Sequence, residues 1–259
     1  MYSKFRAIQG YRDKKISEMV NTSQDLTYLL KNESNERILD ILINKQLYAS
    51  KFEELNDIRE GLFYFVYTIG SNVDNILERI RNAKNEYRIC SFSKTPIKSK
   101  YNIEKDLRQH LMWAHYAGNH NGIRIDFDID NSKNQKGPFE VKYTNKEEDY
   151  EFVRYVNNIS YGDEWFWFVK KIFTTKQKIW EYEKESRVIT NDRKVYIKIR
   201  QIVIGRGFLR TTFDYMRNGD RFEDNLIKFA KQLKVLVSEP DVKILAYKSK
   251  YSNELVQVI

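Results

Sequence analysis

Apolar residues recur at helical spacing in four separate stretches of the chain. The i, i+3, i+4 pattern predicts helices over residues 34–43, over 73–80, over 107–114 and over 222–233. In the first of these, Ile38, Ile41 and Leu42 share one stripe, and in the last the buried stripe is carried by aromatic and leucine side chains. We therefore expect four amphipathic helices that pack one face against a common layer.

Alternating or β-branched apolar residues predict strands in the remaining stretches. These predicted strands cover residues 2–6, 47–50, 87–93, 123–127, 141–143, 182–189, 195–204, 235–237 and 242–247. Helices dominate the first half of the chain and strands the second half, an order typical of α+β folds. We predict a strongly bent, mostly antiparallel sheet flanked by helices.

Composition limits the domain organisation. The chain has 259 residues, and only three prolines and ten glycines, which leaves no room for a long flexible linker. Residues 146–175 begin acidic and then become aromatic, with Tyr161 followed by Trp165 to Phe168. The sequence predicts a single domain over residues 1–259, with a mainly helical aromatic insert at about 146–175.

Charge and cysteine content narrow the class of protein further. The single cysteine, Cys90, excludes an internal disulfide and is typical of a reducing cytoplasm. We find no run of 18 apolar residues and no signal-peptide pattern, so we expect a cytoplasmic protein that does not enter a membrane. The formal net charge of +9 favours partners that carry phosphate groups, nucleic acid above all.

The most conspicuous chemistry lies in a late acidic motif. If residues 182–189 are extended, the two-residue period of a strand puts Glu183, Glu185 and Arg187 on one face. Neighbouring carboxylates repel each other, so this arrangement is favoured when a cation or a sugar hydroxyl lies over them. The alternative is a solvated strand with an in-line ion pair, and the motif alone leaves both interpretations open.

Several separated stretches resemble one bacterial family. The matching pieces are Tyr2 to Arg6, Leu55 to Asp57 with Glu60-Gly61, Cys90 to Ser93, Leu111 to Ala117 with Gly122-Ile123 and Phe127, Val141-x-Tyr143, Lys176-x-x-x-Trp180-x-x-Glu183-x-Glu185-x-Arg187, and Ile202 to Gly205. In this order they are similar to the domain of unknown function family twenty-nine seventy-one. The family's name states no activity.

A second resemblance implies an activity. The chain carries Arg6 on an early predicted strand, then Ser91-Phe92-Ser93, then Glu183-Lys184-Glu185. That ordered trio resembles the arginine-type ADP-ribosyltransferases, which have an Arg, a Ser-x-Ser and a Glu-x-Glu in the same order. The resemblance implies an ADP-ribosyltransferase-like split sheet and implies NAD as a substrate.

The same resemblance implies roles for individual residues. Cleavage of the nicotinamide–ribose bond develops positive charge on the sugar, which a fixed carboxylate stabilises. Glu185 would take this part and Glu183 would orient or deprotonate the incoming nucleophile. Arg6 would hold the diphosphate, because a guanidinium pairs with phosphate oxygens in two places. Ser91 and Ser93 would shape the nicotinamide side of the pocket.

Two further groups complete the predicted cofactor-binding residues. Arg187 lies on the predicted carboxylate face, and Trp113, His115 and Tyr116 form an aromatic cluster. The aromatic cluster has two interpretations. Trp113 or Tyr116 stacks on a base or on nicotinamide while His115 donates to a phosphate or ribose, or the tryptophan fills the core and the histidine caps a helix.

Other chemistries find little support in the sequence. His110, His115 and His120 lie five residues apart, so one helix cannot aim all three at one metal ion. Gly205-Arg206-Gly207 matches neither a phosphate-binding loop nor a dinucleotide fingerprint. Asn56 and Asp57 are interpreted as turn residues, and Cys90 as a buried strand cysteine. We expect no metal site.

Together, these features predict an NAD-dependent ADP-ribosyltransferase, or an NAD glycohydrolase. Stand-alone bacterial domains with this resemblance are expected to act as toxins or anti-phage effectors, with a nucleic acid or a protein as acceptor and with a neutralising partner as a further possibility. One alternative is a non-catalytic, basic nucleic-acid-binding or phage-sensing module. A second alternative is a metal-independent nuclease that uses Glu183, Glu185 and His115.

Overall fold

The fold was analysed in a computed structural model of the chain. The structure describes residues 1–8, 35–55, 64–65, 73–95, 103–133, 135–146, 151–152, 163–209, 224–249 and 252–259. The chain divides into two compact units. Unit 1 comprises Met1–Leu47, Lys94–Asp130 and Tyr196–Ile259, and unit 2 comprises Tyr48–Ser93 and Asn131–Val195. The predictions for Asn56, Asp57 and Tyr161 lie outside the described residues.

The described part of the chain contains five α-helices. They are α1 (Glu36–Asn44), α2 (Val73–Glu86), α3 (Ile103–Tyr116), α4 (Asp163–Phe173) and α5 (Asp224–Val237). The stripe predicted in α1 is confirmed, because Ile38, Ile41 and Leu42 are all buried. Helix α1 ends where Lys45 adopts the left-handed conformation, with φ of 56°.

The described strands number fourteen, from β1 to β14. Their bounds are Tyr2–Ala7, Gln46–Tyr48, Ser50–Lys51, Tyr64–Phe65, Arg88–Lys94, Gly122–Ile129, Phe139–Glu140, Lys142–Thr144, Glu151–Phe152, Thr175–Gln177, Glu185–Thr190, Lys194–Ile204, Lys243–Tyr247 and Leu255–Gln257. The strand predicted over residues 235–237 is wrong, since these residues complete α5. Their apolar pattern continues the helical stripe of Phe229 and Leu233, and Val237 is buried with them.

Unit 1 is built on a sheet in the order β14-β13-β12-β6-β1. Strands β1, β6 and β12 pair antiparallel, and β12 pairs parallel with β13. The register between β6 and β12 shifts between Ile199 and Gln201. Almost every residue of β6 is buried, although its apolar residues Ile123, Ile125, Phe127 and Ile129 line only one face and charged residues alternate with them on the other.

Unit 2 is built on the antiparallel order β3-β5-β11-β7. Two short parallel pairs, β10 with β8 and β4 with β9, belong to the same unit. Helix α4 supplies most of the hydrophobic core, in which its buried face packs with residues of α2, β5 and β11. These core residues are Ile80, Ala83, Ile89, Trp165, Phe166, Val169, Ile172, Phe173 and Ile189.

The predicted fold class is confirmed at the level of a mixed α+β protein with mostly antiparallel strand pairing. The predicted single domain with an insert at 146–175 stays a prediction, and α4 is the helix that the structure describes within that range. Among the described helices, none has the length and apolar character needed to cross a membrane.

Candidate functional site

The acidic motif of unit 2 is not one continuous strand. Residues Lys178–Glu183 form a 3₁₀ helix, and β11 begins only at Glu185. Between them Lys184 adopts the left-handed conformation, with φ of 43°, and its N–H donates to the carbonyl of Glu181. The prediction of an extended segment from Tyr182 is therefore wrong, because this turn separates the two glutamates into different elements.

Both glutamate side chains nevertheless reach one cation. The ammonium Nζ of Lys176 lies 2.8 Å from Oε2 of Glu183 and 3.3 Å from Oε2 of Glu185. All three side chains are at most 6% exposed. Of the partners that the sequence favours over these carboxylates, a cation or a sugar hydroxyl, the chain itself supplies a cation. It comes from β10, only seven residues before Glu183.

Arg187 completes a group of four buried charges. Its Nε donates to Oε1 of Glu185 at 2.8 Å and its Nη2 to Oε2 at 3.0 Å, which is a bidentate pair. Its Nη1 donates to the carbonyl of Phe173 at 2.6 Å. We refer to Lys176, Glu183, Glu185 and Arg187 as the carboxylate cluster. Two positive and two negative charges balance within it, as the burial of ions requires.

The cluster keeps Glu185 ionised. Burial by itself raises the pKa of this carboxyl, but the charges of Arg187 and Lys176 oppose burial. Hydrogen bonds from Arg187 and Ser91 add to them, and the pKa falls to about 2. At neutral pH Glu185 is therefore a carboxylate. It can stabilise positive charge, but it cannot donate a proton.

The two predicted serines lie against this cluster on β5. Antiparallel pairing of β5 with β11 sets Ser93 opposite Glu185 and Ser91 opposite Arg187. The hydroxyl of Ser93 donates to the backbone carbonyl of Glu183 at 2.5 Å. The structure thus brings together five of the predicted site residues, namely Ser91, Ser93, Glu183, Glu185 and Arg187.

Sequence reasoning did not assign a site role to two residues at this place, Lys176 and Tyr143. The backbone N–H of Glu185 donates to the hydroxyl of Tyr143 at 2.7 Å. Burial raises the pKa of Tyr143, and the charges of Glu185 and Glu183 raise it further, so the phenol stays protonated. Parallel pairing of β10 with β8 sets Lys176 opposite Tyr143. Both residues lie in motifs shared with the resembled family, and this is the sequence signal that could have identified them as site residues.

The other predicted site residues belong to unit 1. Arg6 is half-buried on β1, opposite Ile123 of β6. His115 is exposed and Tyr116 half-buried at the end of α3. Trp113 is completely buried, and its indole N–H donates to the hydroxyl of Tyr247 at 2.9 Å. Of the two roles that the sequence left open for Trp113, this packing matches filling of the core.

Unit 1 also contains a buried ion pair between two residues that lie two positions apart on one strand. Arg124 of β6 donates to Asp126 through Nε and Nη2, both at 2.9 Å. Asp126 also accepts from Ser3 Oγ at 2.6 Å and from Gln201 Nε2 at 2.6 Å. The strand register places Ser3 and Gln201 on either side of Asp126, so three adjacent strands satisfy this one carboxylate.

Comparison with known proteins identifies one family. Residues 112–188 match the model of the family described as Protein of unknown function (DUF2971). This match confirms the predicted family. It extends from Met112 through the whole carboxylate cluster to Val188, but its description names no activity. No curated protein and no solved structure matches the chain, so the resemblance to ADP-ribosyltransferases stays a prediction.

A metal centre finds no support in the part of the chain that the structure describes. Within those ranges, no group of three or more histidine, cysteine, aspartate or glutamate side chains is arranged to hold a metal ion. Cys90 is buried on β5, as its interpretation as a structural cysteine predicted.

Proposed function

We propose that the chain is an NAD-dependent ADP-ribosyltransferase, or an NAD glycohydrolase, with an ADP-ribosyltransferase-like fold, and that it acts as a bacterial toxin or anti-phage effector. The observation that carries the proposal is the grouping of Ser91 and Ser93 with Glu183 and Glu185 in unit 2. These hydroxyls and carboxylates come from segments about 90 residues apart in sequence. Such a grouping is what a pocket for nicotinamide and ribose requires.

The chemistry assigned to this group follows from its charges. The bond between nicotinamide nitrogen and ribose C1′ breaks, its electron pair leaves with nicotinamide, and positive charge develops on the sugar. The carboxylate of Glu185 is ionised at neutral pH and stabilises that charge. Glu183 accepts a hydrogen bond from the hydroxyl of water or of an acceptor. The hydroxyl oxygen attacks C1′, and its proton passes to the carboxylate of Glu183 and then to solvent. Hydrolysis and transfer differ only in the attacking hydroxyl.

One step must precede this chemistry. The ammonium of Lys176 occupies the space between both carboxylates, so Lys176 has to withdraw before a ribose can approach Glu185. The aromatic ring of Trp180 lies 4.7 Å from that ammonium and attracts it electrostatically. The ring already contacts the ammonium in the paired position, and we expect it to keep this contact when Lys176 turns away from the carboxylates.

A second candidate function is favoured by the burial of the cluster. Because Glu183 and Glu185 are buried and already neutralised within the chain, they also suit a structural ion-pair row. In that case, the protein is a non-catalytic basic nucleic-acid-binding or phage-sensing module. Its net charge of +9 supplies the attraction to phosphate.

Release of nicotinamide from labelled NAD distinguishes the candidates. Wild type is expected to release nicotinamide, and Glu185→Gln to lose about 100-fold or more of the rate, because it removes the charge that opposes the developing cation. Glu181→Gln is the matched control. Glu181 lies on the neighbouring 3₁₀ helix with 43% of its side chain exposed and pairs only with Lys184 among the ion pairs described, so its replacement should leave the rate unchanged.

The other outcomes each have a definite meaning. If neither wild type nor any variant releases nicotinamide, with or without added nucleic acid, the transferase and glycohydrolase are both excluded. Nucleic-acid binding that needs no NAD then supports the module. Cleavage of RNA or DNA in the absence of NAD and of metal supports the nuclease alternative. Thermal unfolding of each variant shows whether a lost rate reflects lost structure.

A further inference from the structure

Helix α4 of unit 2 places one large aromatic side chain outward. Trp165, Phe166 and Val169 are buried in the core of the unit, whereas Trp167 is 56% exposed. Phe166 and Trp167 are neighbours in sequence, so the helix turns the second ring away from the core. A single exposed apolar residue is common on protein surfaces. What distinguishes Trp167 is its surroundings.

Two lysines lie against the aromatic rings at this surface. The ammonium of Lys170 is 4.4 Å from the ring centroid of Trp167 and 4.4 Å from that of Phe139. The ammonium of Lys136 is 4.1 Å from the ring centroid of Phe166. We define Lys136, Phe139, Phe166, Trp167 and Lys170 as the Trp167 patch.

The patch is held in a defined shape by its own contacts. The ring of Phe139 lies edge-on to that of Trp167, with centroids 6.0 Å apart and planes at 73°. Phe166 meets Trp167 in a similar way at 5.8 Å and anchors the group in the core. Glu140, the carboxylate nearest in sequence, follows Phe139 on β7 and so projects from the opposite face of that strand.

The chemistry of the patch fits a single-stranded nucleic acid. Proteins that bind single strands combine aromatic side chains, on which bases stack, with cations that track the phosphates. An exposed indole with the ammonium of Lys170 against its ring, and that of Lys136 against the neighbouring ring of Phe166, provides both elements. An acidic protein segment would use the lysines but would leave the indole face without a planar partner.

We propose that the Trp167 patch binds single-stranded nucleic acid, with one base stacked on Trp167 and the flanking phosphates held by Lys136 and Lys170. The patch deepens the proposed function by naming single-stranded nucleic acid as the acceptor class. Binding at the patch requires neither NAD nor Glu185, so it is tested independently of the transferase.

The test is fluorescence anisotropy of the full chain with a labelled single strand of about 12 nucleotides, within the site size of such proteins. Trp167→Ala is expected to weaken binding about tenfold, since one stacked base is lost. Lys136→Ala and Lys170→Ala should each weaken binding and lower the slope of log affinity against log salt by about 0.7, the value for one single-strand phosphate contact.

Matched controls come from unit 1. Val235→Ala truncates an apolar residue on α5 that is 73% exposed, and Lys198→Ala removes an exposed lysine from β12. Neither should change affinity by more than a small factor. The proposal is overturned if Trp167→Ala binds as wild type does, if Lys198→Ala weakens binding as much as Lys170→Ala, or if a poly-glutamate peptide competes as well as unlabelled single strand. Duplex that competes equally would also overturn it, because paired bases cannot stack on the indole.

Discussion

Both units contain a buried arginine–carboxylate pair, but the carboxylates of the two pairs receive their remaining hydrogen bonds from different kinds of group. In each, an arginine and a carboxylate two residues apart on one strand form a buried bidentate pair, Arg124 with Asp126 in unit 1 and Arg187 with Glu185 in unit 2. Asp126 receives its remaining hydrogen bonds from neutral groups on the adjacent strands, Ser3 and Gln201. Glu185 instead shares a lysine with a second carboxylate.

The difference between the two pairs concerns what can move. The donors to Asp126 described above come from β6 itself and from the paired positions of β1 and β12, so the strand register keeps them beside the carboxylate. Lys176 reaches its carboxylates through a flexible four-carbon stem, and its departure leaves the Glu185–Arg187 pair intact. A saturated network of the first kind is suited to stability. A shared ammonium of the second kind leaves a carboxylate that can be exposed.

The largest effect expected from this comparison concerns Asp126. Asp126→Asn leaves Arg124 buried without a counter-charge, which should lower the free energy of unfolding by about 4 kcal/mol. Urea unfolding followed by circular dichroism measures this loss. Asp128→Asn is the control on the same strand, because Asp128 is partly exposed and its pair with Arg200 should contribute less than about 1 kcal/mol. Equal losses in the two variants would refute a special role for the saturated network.

A smaller loss is expected at Lys176. Lys176→Met keeps an unbranched side chain that is one atom shorter but leaves two buried carboxylates with one guanidinium, and should cost about 3 kcal/mol of unfolding free energy. Adding Glu183→Gln should recover part of the loss, because Glu185 then keeps its pair with Arg187 in a neutral cluster. Urea unfolding of the single and double variants measures the recovery. A double variant less stable than Lys176→Met would contradict the shared-ammonium interpretation.

The smallest effect is a pH dependence. The folded-state pKa of Glu185, about 2, lies below its ordinary value of 4.5. The ionised carboxylate therefore stabilises the fold above pH 4.5, and this contribution is lost as the pH falls towards 2. Between pH 5 and pH 3, wild type should lose about 2 kcal/mol more than Glu185→Gln by linkage. The urea midpoints of both proteins across this range provide the measurement, and a constant difference between them would refute it.

Sequence patterns predicted local features of this molecule better than long-range ones. The stripe of α1 and the β-branched run of β12 are decided by burial of one face, which periodicity detects directly. The short apolar run at residues 235–237 fits the period of a strand as well as that of a helix, and the longer helical stripe of α5 makes these residues helical.

At the candidate site, local sequence patterns do not predict which distant residues come together. The spacing of Glu183, Glu185 and Arg187 favours a cation or a sugar hydroxyl over the carboxylates, but nothing in the spacing names Lys176 as that cation. Its position depends on the parallel pairing of β10 with β8. Ser91 and Ser93 reach the cluster through the register of β5 with β11, which is also a long-range choice. Only the resemblance to known families connected these segments in advance.

The conformation of Lys184 has a consequence for how such motifs are searched. Because this residue has a φ of 43°, two glutamates on different elements both reach one ammonium. Valine or isoleucine would adopt that backbone conformation only with strain. The middle letter of a Glu-x-Glu therefore carries information. Sequences with a β-branched residue at this position are expected to lack the arrangement in which both glutamates reach one lysine ammonium, even when both glutamates are present.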